Sequence, residues 1–169
     1  EGTRTFPNKG LTPGQIARGL KYYGLEPTIY PYGESGIEDL TEILEKIYAY
    51  TSSDIPVLIG GKIYKQNKGI INEYLGQHLM CVLGYKINEN FSFDSGNDLK
   101  IKAHAIEKIY VHDDRYGPFA RVNIKREICK EITEDKSELA HEGLFMSHYF
   151  ESEDLFVPDL VIIGLYHKI

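Results

Sequence analysis

The chain has 169 residues, 42% of them hydrophobic, which is enough apolar material for one domain with a real core. Its formal net charge is −6 at pH 7 and it has no lysine/arginine block, so nothing suggests a nucleic-acid or anionic-lipid surface. No apolar run approaches the ~20 residues that a membrane helix needs, and two cysteines, Cys81 and Cys129, fit a reduced, cytoplasmic compartment rather than a disulfide scaffold.

The first element is a helix in "GLTPGQIARGLKYYGLEP". Thr12 is placed to cap it, Pro13 suits its first position, and Gln15 completes a capping box. Ile16, Leu20 and Tyr23 share a stripe, and Gly24 gives the left-handed stop. "PTIYPY" then reads as extended.

A second helix is expected from Ile37 to Tyr50, with Ile37, Leu40, Leu44, Ile47 and Tyr50 on its buried face and acids in its first turns. "SSDIPVLIGGKIY" reads as a strand that Gly60-Gly61 ends or turns, followed by a loop from Gly69 to Gly76. Strands are expected at Gln77–Ile87, Ala105–His112, Phe119–Arg126 and Leu155–Tyr166. Asn88 to Asp98 reads as a loop, and Glu131 to His148 as one short acidic helix. There is no internal repeat and no linker, so residues 1–169 form one domain. Helices followed by mostly antiparallel strands make an α+β layout, with helices to one side of a sheet.

Among chemistry-bearing residues, His78 opens the apolar strand "GQHLMCVLGY". It is either a strand-end histidine facing water or a base held at the rim of a sheet. Strand alternation puts His78, Met80 and Val82 on one face and Leu79, Cys81 and Leu83 on the other, so Cys81 is not its partner and is expected buried in the core. Cys129 lies among charges with no base near it in sequence, a poor setting for a reactive thiolate. The histidines at 104, 112, 141, 148 and 167 show no helical pair with a carboxylate, so no metal and no cofactor are expected. In "IYVHDDRYGP" a strand ends in two carboxylates and a turn. Asp is a good turn former. Beside His78, however, a carboxylate at a neighbouring strand end would fix an imidazole's tautomer and orientation.

Taken in order, "GLTPGQIARGLKYYGLEP", "LTEILEKIYAY", "DIPVLIG", "GQHLMCVLGY" and "IYVHDDRYGP" resemble the papain-like cysteine peptidases, and within them the group around the bacteriocin-processing, double-glycine leader peptidases. The resemblance covers Gly10 to Val122. It implies a papain-like fold, N-terminal helices on a mostly antiparallel sheet, and a peptide or protein substrate. It further implies His78 as general base and Asp113 as the acid that orients it. The family's nucleophilic cysteine and oxyanion glutamine would fall upstream of Gly10. Its His-to-Asp spacing is usually shorter than the one here. Asp94 is nearer that spacing but sits in a loop-like stretch, so Asp113 is preferred, with Asp114 in reserve. Residues 127–169 have no counterpart in the family core.

Two functions follow. One is peptide or amide hydrolysis by a Cys-His-Asp mechanism whose cysteine precedes Glu1, leaving these 169 residues inactive alone. The other is a module without a nucleophile that acts in binding or protein interaction.

Overall fold

The computed structural model describes residues 10–32, 40–68, 70–88, 99–114, 116–124, 128–132, 138–142, 144–147 and 153–166. Helix α1 (Pro13–Tyr22) begins as its sequence dictates. The Thr12 hydroxyl accepts the Gln15 N–H, and the Gln15 side chain accepts the Thr12 N–H at 2.9 Å. Gly24, at φ 81°, turns the chain into strand β1 (Leu25–Pro31). Helix α2 (Leu40–Thr51) buries Leu40, Ile43, Leu44 and Ile47 at helical spacing. Its expected start at Ile37 lies outside the described residues.

Strands β2 (Val57–Asn67) and β3 (Ile70–Ile87) form one long antiparallel hairpin. This corrects two expectations. Residues 70–76 belong to β3 rather than to a loop, and Gly60-Gly61 stand in mid-strand rather than at its end. The glycines are there because another strand crosses closely. A Cβ on Gly61 would come within 2.8 Å of the Phe156 ring and of Pro158 Cα.

The short helix α3 (Leu99–His104) packs beside α2, with the Lys102 ammonium 5.7 Å from the centre of the Tyr48 ring. Strands β4 (Ile106–Asp113) and β5 (Gly117–Asn123) follow close to their expected places. Where one short acidic helix was expected over 131–148, the described residues are strand. That stretch runs through strands β6 (Ile128–Ile132), β7 (Glu138–Glu142) and β8 (Leu144–Ser147), because pairing with neighbouring chain outweighs the local pattern. Strand β9 (Glu153–Tyr166) is last.

The ladders close on themselves. β2 pairs with β3, β3 with β4, β4 with β5, β5 with β8, β8 with β9, and β9 with β2, all antiparallel. β1 adds to β9 outside this ring, and β6 joins the start of β3 in parallel, carrying β7. The result is α+β with a mostly antiparallel sheet. Inward side chains fill the ring, among them Val57, Ile59, Met80, Val82, Ile109, Val111, Val122 and Phe156, and α2 packs onto them.

Candidate functional site

Alternation along β3 places His78 in the same inward series as Met80 and Val82, both fully buried. Along β4 the inward series is Ile109, Val111, Asp113. Cys81 stands opposite His112 in the ladder, so Met80 is level with Asp113 and His78 is its diagonal neighbour. The apolar layers thus end in one imidazole and one carboxylate on adjacent strands.

His78 Nε2 lies 2.9 Å from Asp113 Oδ2. The Asp113 side chain has no exposed surface, whereas the His78 side chain keeps 15% of its own. A carboxylate buried to that degree needs donors on both oxygens, and Oδ1 accepts the Tyr116 N–H at 3.2 Å. The turn after β4 provides that N–H, and Gly117, at φ 89°, lets the chain leave it into β5. A carboxylate only accepts, so the proton of the shared bond belongs to Nε2 and the lone pair of the neutral ring to Nδ1. Nδ1 has no hydrogen-bond partner among the described residues.

Asp114 Oδ1 is 3.6 Å from the same Nε2, on a side chain 89% exposed. Depth and distance therefore separate the two aspartates: Asp113 is the bonded, buried partner and Asp114 a solvated neighbour. Asp94 lies outside the described residues. His78, Asp113 and Asp114 bring one potential ligand atom each within 4.8 Å of one another, a spacing that one cation could bridge. Doing so would require Nε2 to surrender the proton that ties it to Asp113.

Cys81 faces away from His78, as alternation requires, but it is half-buried rather than buried. The outward face of β3 has less cover than the inward one. Desolvation still pushes its thiol above the ordinary value, which disfavours the nucleophilic thiolate. Cys129 lies in β6 opposite His141, and its side chain falls outside the described residues. His104 and His112 are exposed on α3 and β4, and among the described residues no hydrogen bond joins either to His78.

Two features escape a reading by residue type. One is the backbone donor of Tyr116, which an Asp followed three residues later by a turn residue does signal. The other is Phe119, held at φ 59° with 64% of its surface exposed, which nothing in the sequence marks. Comparison of the chain with family models, with curated proteins and with solved structures finds no match.

Proposed function

We propose that this chain carries the base and orienting acid of a papain-like Cys-His-Asp hydrolase acting on peptide or amide bonds. The reading rests on one observation: the buried Asp113 binds His78 through Nε2, which leaves Nδ1 and its lone pair without a hydrogen-bond partner among the described residues. An imidazole anchored by one nitrogen and free at the other is what a thiol nucleophile needs. Nδ1 would take the thiol proton as sulfur attacks the carbonyl carbon, then deliver it to the leaving amine. In the second half Nδ1 would take a proton from water as it attacks the thioester, and the thiol would be released.

Neither cysteine of this sequence suits that role, since Cys81 is on the other face and Cys129 sits in a separate hairpin. The nucleophile is therefore assigned to chain preceding Glu1. The alternative, a binding module without a nucleophile, draws on the same absence.

The test uses the gene's whole open reading frame and this 169-residue chain, assayed on one panel of peptide and amide substrates. The hydrolase reading expects turnover only in the longer protein, lost when an upstream cysteine becomes alanine and reduced roughly 10²–10⁴-fold by His78→Ala. Turnover indifferent to His78→Ala, or no upstream cysteine at all, would exclude it in favour of the binding module.

A further inference from the structure

His78, Asp113 and Asp114 form a donor set that the pairing of a base with its orienting acid uses only in part. The ring nitrogen Nε2 stands 2.9 Å from Asp113 Oδ2 and 3.6 Å from Asp114 Oδ1. One proton on that nitrogen thus faces two carboxylates. A neutral ring offsets neither charge, whereas a divalent cation in the proton's place offsets both.

The separations suit ligands of one metal ion. With bonds of about 2.1 Å, the 2.9 Å edge subtends about 90° at the metal and the 3.6 Å edge about 120°, on either side of the tetrahedral angle. The three ligand atoms lie within 4.8 Å of one another, and a small rotation of the exposed Asp114 side chain closes the remaining edge.

The surroundings suit a metal too. Asp113 is held from behind, because its other oxygen accepts the Tyr116 N–H at 3.2 Å, and such outer contacts orient a carboxylate ligand. The cluster also has an entry side. His78 keeps 15% of its side-chain surface and Asp114 keeps 89%, so a cation can arrive from solvent and retain water as a further ligand. One imidazole with two carboxylates matches zinc-type ions, while calcium and magnesium ask for a shell made of oxygens. Helical spacing could not reveal these ligands, because they come from two neighbouring strands and the turn after one of them.

We propose that this cluster binds a divalent transition-metal ion, Zn²⁺ best, through His78 Nε2, Asp113 Oδ2 and Asp114 Oδ1, and that binding removes the basic lone pair from Nδ1. The proton count requires the second part. Without metal, Nε2 holds the ring's one proton and Nδ1 holds the lone pair. A metal on Nε2 occupies that nitrogen's lone pair, so the neutral ring carries its proton at Nδ1 instead. Metal ligand and general base are then mutually exclusive states of one imidazole. Binding stands without the hydrolase reading; only its consequence, a metal ion that switches off turnover, rests on that reading.

The probe is Zn²⁺ alone, added stepwise to the 169-residue chain with isotope-labelled histidine rings. The His78 signals, identified by their loss in His78→Ala, should exchange tautomer as the metal binds, with Nδ1 becoming the protonated nitrogen. Excess chelator should restore the starting spectrum, and Mg²⁺ should leave it unchanged. Asp114→Asn, at a side chain 89% exposed, should leave the amide spectrum folded and weaken the zinc response at least about tenfold. Zinc carried only on other histidines, or a response as strong in Asp114→Asn as in the parent, would overturn the site. A His78 ring that binds zinc yet keeps its proton on Nε2 would overturn the exchange. Absence of turnover in the longer protein would count against the hydrolase reading alone, since none of these signals depends on it.

Discussion

Among the described residues Asp113 accepts from the His78 ring and the Tyr116 amide, and each would be left without this acceptor if the carboxylate were removed. Stranding buried donors costs about 1–3 kcal/mol, so Asp113→Ala should lower the unfolding free energy by roughly that amount in a denaturant titration. Asp113→Asn separates orientation from packing. Its amide fills the same space, but an NH₂ facing Nε2 asks the ring to move its proton to Nδ1. Stability should then fall less than with alanine. The imidazole nitrogen spectrum should show the tautomer exchanged. A spectrum unchanged by asparagine would mean that Asp113 does not set the tautomer. The pair was legible because His78 opens an apolar strand and two carboxylates follow another, with the resemblance rather than alternation favouring Asp113. The choice of Asp113 over Asp114 was not equally legible. Both aspartates are adjacent in sequence, and only the strand's inward direction at position 113 divides them into a buried and a solvated group.

At the scale of elements, legibility followed how much of the stabilisation is local. Helix α1 could be read because Thr12, Pro13, Gln15 and Gly24 act within a few residues of one another. The β2–β3 hairpin was underestimated because Gly60-Gly61 look like punctuation when their partner, β9, is far away in sequence. The acids between 131 and 148 suggested a helix because nothing nearby shows that β5 and β9 hold β8 between them. The glycine reading is testable. Gly61→Ala places a methyl against the Phe156 ring and the β9 backbone, and backbone does not give way as a side chain does. The substitution should destabilise by about 3 kcal/mol or more, and exchange of the β2 and β9 amides should rise first. An alanine variant as stable as the parent would show that β9 does not approach so closely.

For the molecule as a whole, three groups among the described residues contribute to the pH dependence of stability with known direction, and burial raises each of them: Asp159, Cys81 and Tyr30. Desolvation raises the Asp159 carboxyl above its ordinary 3.8, although Lys62 and a backbone donor oppose the shift. A raised acid binds its proton more tightly when folded, so its contribution is intact below the unfolded value and lost as pH rises through the folded one. Desolvation likewise raises the Cys81 thiol, and that loss comes only in alkaline solution above the ordinary 9.0. Asp159→Asn should therefore raise the melting temperature at pH 7, with the gain vanishing when both proteins are measured below about pH 3. A gain that persisted in acid would point to packing rather than charge.

The ring of strands has a consequence for how the molecule comes into being. Its closing seam is β9, the last strand in the chain, laid between β2 and β8 and also receiving β1. Residue Val57 waits for Ile163, more than a hundred positions later, before its outer edge is satisfied. Until then β2 presents an open row of donors and acceptors to any other strand, on the ribosome or during refolding. Contacts of such separation place the chain among slow folders, in the millisecond-to-second range. In a pulsed-exchange experiment the amides of β1, β2 and β9 should gain protection in one late step. The strand order thus makes a newly made copy most prone to mispairing just before its final strand arrives.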